Sequence, residues 1–205
     1  MKIHNVKQGT PEWKLLRKGK ITGTRLKDVF KADNLGLVDE LIAELISDEV
    51  EEEFINKAMQ RGMDLEPVAR MMYEDKAGIK VDEIGFAISN EFTFLGLSPD
   101  GLITIDGKYK SAIEIKCPNT ATHVRYIRMN KIPNEYKYQV LNYFLVCQDL
   151  LSLDFVSYDD RFTAKPMHII TITREEQSAE IESAKVELKK FWTKFEKYYK
   201  QVIFE

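Results

Sequence analysis

Two short acidic motifs lie at the ends of two predicted strands. Ser98-Pro99-Asp100-Gly101 closes one strand, and Glu114-Ile115-Lys116 ends the next strand but one. Alternate residues of a strand point to the same face, so Glu114 and Lys116 are expected to project together while Ile115 points into the core. If the strands that begin at 102 and 111 form a hairpin, Asp100 lies beside this pair.

Two carboxylates and an ammonium at one sheet edge have the chemistry to hold a metal ion and position a water molecule. Carboxylate oxygens suit Mg²⁺ or Mn²⁺, which keep several waters and take only one or two protein carboxylates together with substrate phosphate oxygens. The lysine can then orient or help to deprotonate a bound water, and the metal stabilises charge during attack on phosphorus. The alternative is an ordinary turn followed by a cross-strand charge pair. Pro118, which ends the strand directly after Cys117, favours the first interpretation.

The elements that must position these residues alternate between helices and strands. Helical periodicity and capping residues predict helices over 10–19, from 22 or 24 to before 34, and over 38–50, 56–78, 120–130, 134–147 and 175–201. Short apolar or alternating runs predict strands over 84–89, 92–97, 102–105 and 111–116, which we expect to form an antiparallel meander, and over 151–158 and 168–173. In the third helix, Leu41, Ile42, Leu45 and Ile46 are expected to face inward. Pro67 is expected in a first helical turn after Asp64 or at a kink. Helices and strands in this order predict an α/β fold.

Composition excludes several other classes of protein. The chain has 205 residues, 44% of them hydrophobic and 31% charged, and we predict one folded domain over residues 1–205. No run reaches the roughly 18–20 apolar residues of a membrane-spanning helix, and no apolar stretch follows Met1 to form a signal peptide, so a cytoplasmic protein without membrane contact is expected. Two cysteines cannot supply a Cys-only zinc site or an iron–sulfur cluster, and the three histidines show no ligand spacing.

The net charge of −3 conceals an uneven charge distribution. Residues 1–31 carry nine basic and two acidic side chains, a net charge of +7, whereas residues 32–66 have a net charge of −9 and residues 107–138 one of +5. The last segment combines basic and tyrosine side chains in a composition that suits a DNA backbone track: Arg125, Tyr126, Arg128, Lys131, Tyr136, Lys137 and Tyr138. Most charge runs are solvated faces of amphipathic helices, which is the alternative for each segment.

Together, these motifs resemble the phage lambda exonuclease and YqaJ-type recombinase family of the PD-(D/E)xK nucleases. The resemblance spans about residues 9–175. It comprises five elements in the family's order: a segment from Trp13 to Thr22 that includes Arg17, Gly19 and Ile21, a helical Glu66, the Ser98–Gly101 turn, the Glu114–Pro118 strand end, and Gln139. The fold it implies is an α/β restriction-endonuclease-like core, with a central mixed sheet flanked by helices.

The resemblance implies catalytic roles for individual residues. Asp100, Glu114 and the backbone carbonyl of Ile115 correspond to metal ligands, and Lys116 corresponds to the residue that positions the attacking water. Glu66 resembles the helical carboxylate that completes the metal site, while a glutamate in the first turn after an Asp64 cap is also ordinary helix chemistry. Gln139 begins a Gln-x-x-x-Tyr motif that ends at Tyr143 and lies beside such sites in the family.

The resemblance also implies a pocket for the 5′-phosphate of a DNA end. Arg17 and Thr24 correspond to residues that grip this phosphate, and Ser98 belongs to the same pocket. An arginine fork and hydroxyl groups suit a terminal phosphate because they combine bidentate charge with short hydrogen bonds. The arginine expected six residues after the lysine is Thr122 in this sequence, so His123 and Arg125 are the candidates to replace it.

The function implied is a Mg²⁺-dependent exonuclease, with Mn²⁺ as a substitute ion, that degrades the 5′-ended strand of duplex DNA to mononucleotides. It would leave a 3′ overhang for annealing in a phage or prophage recombination system of a bacterial host. The family further implies a ring-shaped homotrimer around DNA and a single-strand annealing protein as partner. The alternatives are an endonuclease of restriction or repair type, a non-enzymatic scaffold that binds DNA ends, and an iron–sulfur nuclease, against which the two cysteines argue.

Overall fold

The computed structural model describes residues 1–47 and 55–204. The elements follow one another as β1 (Lys2–His4), α1 (Pro11–Arg17), α2 (Leu26–Val29), α3 (Leu35–Ile46), α4 (Lys57–Ala77), β2 (Phe86–Ile88), β3 (Gly96–Leu97), β4 (Gly101–Ile105), β5 (Lys108–Lys116), α5 (Thr120–Met129), a 3₁₀ turn (Asn134–Tyr136), α6 (Lys137–Val146), β6 (Ser152–Tyr158), β7 (Met167–Thr173) and α7 (Ser178–Phe204). In these two ranges, no helix is long and apolar enough to cross a membrane.

The principal sheet has four strands in the order β4-β5-β6-β7. β5 and β6 run parallel, while both outer pairs are antiparallel, so the sheet is mixed as predicted. The parallel pair needs a crossover connection, which α5 and α6 supply.

The prediction of one antiparallel meander is wrong. β2 and β3 pair with each other and with β1 in a separate three-stranded sheet, whereas β4 pairs with β5. The chain therefore changes sheets at the turn between β3 and β4. β1, which the sequence patterns did not predict, occupies the edge of β2 and gives the smaller sheet its third strand.

Helices cover both faces of the principal sheet and build two apolar clusters. α6 is buried nearly all round from Val140 to Val146, as expected of an apolar helix in a core, and it packs with Leu153 and Phe155 of β6. On the opposite face, α4 packs Ala69 and Tyr73 in a smaller cluster with strand residues such as Ile113. The carboxyl end of β5 therefore lies between α6 and α4.

The long helix α4 begins earlier than an Asp64 cap would allow. The side chain of Asn56 accepts hydrogen bonds from the backbone N–H groups of Ala58 and Met59, so the helix starts at Lys57. Pro67 is consequently in the helix interior, not in its first turn. Gly78 ends the helix in the left-handed conformation with φ of 67°, as its residue type predicts.

The N-terminal helices differ from the predictions in length and burial. α2 is one turn of four residues and α3 ends at Ile46, so the predicted continuation over 48–50 lies outside the described residues. Leu45 and Ile46, which were expected to face inward, are 45% and 53% exposed. The reason is that α3 ends there and buries its earlier turns instead, through Leu37, Val38, Leu41 and Ile42.

Candidate active site

The β4–β5 hairpin brings the two acidic motifs together. In its register Gly101 lies opposite Ile113, and Asp100 Oδ2 accepts a hydrogen bond of 2.6 Å from the backbone N–H of Ile115. Glu114 and Lys116 project from the same face of β5 and form an ion pair, as the strand alternation predicted. Ile115 is buried in the smaller cluster. The three groups expected to do chemistry thus meet at the carboxyl end of β5.

Tyr143 of α6 connects the two carboxylate-bearing segments. Its hydroxyl donates to Glu114 Oε2 at 2.7 Å and lies 3.2 Å from the carbonyl oxygen of Ile113. The same hydroxyl accepts a hydrogen bond of 3.1 Å from the backbone N–H of Asp100. One side chain therefore fixes the Glu114 carboxylate and the backbone of Asp100 at once.

Glu66 reaches the site from the other side, on α4. Its carboxylate binds Arg70, four residues further along the helix, with Arg70 Nη2 and Glu66 Oε1 2.7 Å apart. Arg70 also donates through Nε to the carbonyl oxygen of Asp100 at 2.9 Å. The sequence patterns did not single out Arg70; the signal that was available is a basic residue one helical turn from Glu66 on a mostly polar helix.

The electrostatics of this cluster are dominated by burial and by mutual repulsion of the carboxylates. Burial raises the pKa of Asp100 well above its ordinary value, and the negative charges of Glu114 and Glu66 raise it further. Burial likewise raises the pKa of Glu66, against the opposing effect of Arg70. For Lys116, burial lowers the pKa, but the carboxylates of Glu114 and Asp100 outweigh it and the net shift is upward. The cluster thus brings three carboxyl groups together with one ammonium, which pairs with Glu114, and one guanidinium, which pairs with Glu66.

The donor set at this point fits a small divalent cation. Carboxylate oxygens of Asp100 and Glu114 and the backbone carbonyl of Ile115 are hard ligands, and Mg²⁺ needs only one or two protein carboxylates because it keeps several waters. Burial, and after it the negative charges of Glu114 and Glu66, raises the pKa of Asp100, and a bound cation would oppose both effects by stabilising the ionised carboxylate. Within residues 1–47 and 55–204, no three side chains of the His, Cys, Asp and Glu types stand together as a preformed metal cage. Lys116 and Arg70 instead pair with Glu114 and Glu66.

A cavity of about 80 Å³ adjoins Glu114. Its wall contains three of the residues predicted to hold a phosphate, Arg17, Thr24 and Ser98, together with Thr22, Gly23, Leu97, Glu114, Gln139 and Tyr143. Gly23 lets α6 approach closely, because a Cβ there would lie 3.2 Å from both Cα and Cγ of Gln139. Of the predicted catalytic residues, Glu114 and Gln139 line this cavity and Glu66, Asp100 and Lys116 do not, so the predicted phosphate pocket meets the catalytic cluster at Glu114.

Trp13 organises one wall of this cavity. Its indole N–H donates to Ser98 Oγ at 3.0 Å and to the carbonyl oxygen of Gly85 at 3.1 Å. The guanidinium of Arg17 lies over the indole ring, 4.1 Å from its centroid, and donates to Ser98 Oγ at 3.3 Å. Arg17 and Ser98 are thus both placed by the same buried tryptophan.

The two candidates to replace the expected arginine do not line this cavity. His123 is fully buried: its Nδ1 lies 2.7 Å from Ser157 Oγ and its Nε2 lies 2.9 Å from the carbonyl oxygen of Lys165. Both ring nitrogens are engaged, so His123 has no donor for a phosphate, and the prediction that it binds one is corrected. Arg125 is exposed on α5, 3.5 Å from Glu135. A single sequence does not distinguish a buried, bonded histidine from a ligand.

A charged network fixes the segment that follows Lys116. Arg61 of α4 donates to the carbonyl oxygens of Cys117 and Pro118 at 3.0 and 3.1 Å, and it pairs with the fully buried Asp159 at 2.8 Å. Asp159 also accepts hydrogen bonds from Thr120 and Arg161. Burial raises the pKa of the Cys117 thiol to about 12, so this cysteine is a packing residue at neutral pH.

A larger cavity of about 510 Å³ lies elsewhere on the sheet. Tyr73, Asp154 and Thr171 are among its lining residues, and both oxygens of Asp154 accept hydrogen bonds from those two hydroxyls at 2.6 Å. None of the predicted site residues lines it.

The sequence and the fold assign the chain to a family. The model of the YqaJ-like viral recombinase domain matches residues 12–149, which include every candidate catalytic and phosphate-binding residue. The chain belongs to the YqaJ-like viral recombinase family.

Solved structures are similar over almost the entire chain. An alkaline exonuclease (LHK-Exo) from Laribacter hongkongensis is 35% identical, with a TM-score of 0.82 and coverage of 94% of this chain and 96% of that one. The structure of LHK-Exo in complex with dAMP gives 34% identity with the same TM-score and coverage. A phage-related exonuclease from Haemophilus somnus 129PT shares the fold, at 17% identity, a TM-score of 0.57 and coverage of 98% and 96%. No curated protein sequence matches the chain significantly.

Proposed function

We propose that this protein is a Mg²⁺-dependent exonuclease that degrades the 5′-ended strand of double-stranded DNA. The observation that carries the proposal is the cavity shared by the two halves of the site: Arg17, Thr24 and Ser98 line the same wall as Glu114 and Gln139. A terminal phosphate held by the first group would place the adjacent phosphodiester next to the second. The similarity to LHK-Exo supports the same activity.

The proposed roles follow the geometry. Asp100, Glu114 and the carbonyl of Ile115 would hold Mg²⁺ or Mn²⁺, with Glu66 at the edge of the site. When bound, the ion would act as a Lewis acid that stabilises charge on the phosphate oxygens and activates water. The ammonium of Lys116, held by Glu114, would donate a hydrogen bond that orients the attacking water. Gln139, in the cavity wall, would contact the phosphate that is attacked.

The chemistry of the product supports a repeated reaction from the 5′ end. Water attacks phosphorus and the P–O3′ bond breaks, so the released nucleotide keeps its 5′-phosphate and gains a 3′-hydroxyl. The shortened strand again ends in a 5′-phosphate, which the Arg17 pocket can receive for the next cycle. The basic segment over 1–31 and exposed cations of α5 such as Arg125 and Arg128 would contact the DNA backbone.

We further propose the biological setting that the family implies. The enzyme would act in the cytoplasm of a bacterial host as part of a phage or prophage recombination system, and it would leave 3′ overhangs for a single-strand annealing protein. A homotrimeric ring around the DNA would account for processive degradation. Light scattering of the purified protein measures the oligomer directly.

The decisive experiment compares DNA ends. Linear duplexes labelled separately at the 5′ and 3′ ends, with and without a 5′-phosphate, are incubated beside covalently closed circles in Mg²⁺, in Mn²⁺ and in EDTA. We expect mononucleotide release from phosphorylated 5′ ends, intact circles, and no reaction in EDTA. Lys116→Ala is the matched control, because it removes the ammonium but leaves every proposed metal ligand, so DNA binding should survive without turnover.

Three results would contradict the proposal in different ways. Nicked or linearised circles would indicate an endonuclease. Release from 3′ ends would reverse the polarity. Tight binding of DNA ends without cleavage in either metal would indicate a scaffold.

A further inference from the structure

Arg70 is a buried arginine with three separate partners around the candidate site. Only 8% of the residue is exposed. Its Nη2 lies 2.7 Å from Glu66 Oε1, its Nε donates to the carbonyl oxygen of Asp100 at 2.9 Å, and its Nη1 lies 2.7 Å from Glu83 Oε1. Each partner belongs to a different segment, since Glu66 is on α4, Asp100 precedes β4 and Glu83 precedes β2.

The backbone of Asp100 is fastened on both sides by buried side chains. Arg70 binds its carbonyl oxygen, and the hydroxyl of Tyr143 binds its N–H at 3.1 Å. These contacts come from helices on opposite faces of the sheet, so the position of Asp100 depends on both. A turn that served only to reverse the chain would not need a charged donor on one side and a buried hydroxyl on the other.

The guanidinium group suits this arrangement for a geometric reason. It presents five N–H donors in a rigid plane, so it can bind a carboxylate and a carbonyl at a fixed separation. A lysine ammonium is a point charge on a flexible stem and cannot hold the same two acceptors at that separation. The contact with Glu83 is different, because that side chain is 73% exposed and adds little restraint.

We propose that Arg70 is a positioning residue that holds Glu66 and the backbone of Asp100 in register for the reaction. The inference rests on the proposed function and extends it: Arg70 touches neither substrate nor reacting atoms, and acts through the two acidic residues. Without the Arg70 guanidinium, the Glu66 side chain turns away from the site, and the backbone of Asp100 loses one of the two side chains that bind it.

The test uses a charge-conserving variant and a matched control. Arg70→Lys keeps the charge but loses the fork, and Glu83→Gln removes only the exposed partner. Because misplacement of catalytic groups by about 1 Å can cost on the order of 100-fold in rate, we expect Arg70→Lys to lower kcat by about 10- to 100-fold, with KM for duplex DNA changed by less than about twofold. Glu83→Gln should stay within about twofold of the wild type in both constants.

Two further measurements separate positioning from a general loss of structure. Mn²⁺ binding is titrated by electron paramagnetic resonance without DNA, and we expect about tenfold weaker binding for Arg70→Lys but not for Glu83→Gln. In a cycle with Glu66→Gln, the double variant should lose less kcat than the product of the two single losses, because Arg70 acts partly through Glu66. Equal kcat and equal Mn²⁺ affinity in Arg70→Lys and Glu83→Gln would overturn the inference.

The controls keep this result distinct from a failure of the proposed function. An inactive wild type would refute the exonuclease proposal, while the Mn²⁺ titration would still report whether Arg70 positions the site. If Arg70→Lys does not unfold cooperatively, Arg70→Gln, whose amide can still donate to the Asp100 carbonyl, takes its place in the same series. Failure of both variants to fold would assign Arg70 to core stability and overturn the positioning role.

Discussion

Replacement of Tyr143 by phenylalanine isolates one hydroxyl group that links both acidic motifs. In the wild type this hydroxyl donates to Glu114 Oε2 at 2.7 Å and accepts from the Asp100 N–H at 3.1 Å. The ring itself is 1% exposed and remains in place in Tyr143→Phe, so no cavity larger than the oxygen atom forms. The variant therefore tests hydrogen bonding and not packing.

Tyr143→Phe removes two hydrogen bonds, and their contributions to the free energy of unfolding are lost together. A hydrogen bond to a charged group contributes about 1.5–3 kcal/mol, and a buried N–H left without an acceptor costs about 1–3 kcal/mol. Lys116 continues to pair with Glu114 and offsets part of the first loss. We expect a decrease of about 2–4 kcal/mol in the free energy of unfolding, which corresponds to a Tm lower by about 5–15 °C for a chain of this size.

The assay is urea unfolding at pH 7, followed by circular dichroism, with Tyr126→Phe as the matched control. Tyr126 is also buried, but its hydroxyl donates at 3.1 Å to Glu135, whose side chain is 54% exposed and can be hydrated instead. We expect that control to lose less than about 1 kcal/mol.

The same variant should be impaired in catalysis. Glu114 loses a donor that orients it, so we expect kcat on linear duplex DNA to fall at least about tenfold, equivalent to about 1.4 kcal/mol of transition-state stabilisation. Equal stability and equal kcat in Tyr143→Phe and Tyr126→Phe would refute the role assigned to this hydroxyl.

Three further predictions concern acid stability, a glycine and the phosphate pocket. Burial raises the pKa of Asp159, but hydrogen bonds from Arg161 and Thr120 outweigh this effect and lower the pKa to about 2. The ionised carboxylate therefore stabilises the fold above the unfolded-state pKa, and this stabilisation disappears as the pH falls from about 4 to about 2. Asp159→Asn should therefore lose about 2–3 kcal/mol at pH 7, and its deficit in the urea-derived free energy of unfolding should shrink to about half near pH 3. A constant difference across pH would contradict this account. Gly101→Ala should destabilise the protein by about 1–3 kcal/mol in the same assay, because a Cβ would lie 2.2 Å from Val81 Cγ1. The control is Gly62→Ala on α4, where a Cβ meets open space and the higher helix propensity of alanine should stabilise the protein by up to about 1 kcal/mol. Trp13→Phe keeps a ring beneath Arg17 but loses the donor to Ser98, and we expect the ratio of kcat/KM on phosphorylated and unphosphorylated 5′ ends to fall severalfold. An unchanged ratio would contradict the role of Trp13 in placing Ser98.

The local geometry of the site could be predicted from the sequence because it depends on short-range rules. Strand alternation places Glu114 and Lys116 on one face, and a hairpin of the predicted length brings Asp100 beside them. The position of Gly78 likewise predicts the end of α4, whereas the mixed sheet was expected from the family resemblance and not from the pattern of elements. These inferences need no knowledge of which distant segments meet.

The remaining features depend on contacts between distant parts of the chain. The pairing of β1 with β2 joins residues more than 80 positions apart, and no local pattern indicates that β2 and β4 enter different sheets. The burial of His123 is decided by Ser157 and by the carbonyl of Lys165, which approach only after β6 and β7 form. Arg70 is similar, because its contact with Asp100 spans 30 residues.

The site is consequently assembled from two parts that are held in different ways. Asp100, Glu114 and Lys116 belong to one hairpin, whose strand register fixes their spacing. Glu66 comes from α4, and two arginines fasten that helix to the hairpin: Arg61 binds the carbonyl oxygens that follow Lys116, and Arg70 binds the carbonyl oxygen of Asp100. Backbone carbonyls carry no titratable proton, so these three contacts do not depend on the ionisation of a side chain that accepts them. The helix that carries Glu66 is therefore anchored to the backbone beside the β4–β5 hairpin, in addition to the ion pair between Arg70 and the Glu66 carboxylate.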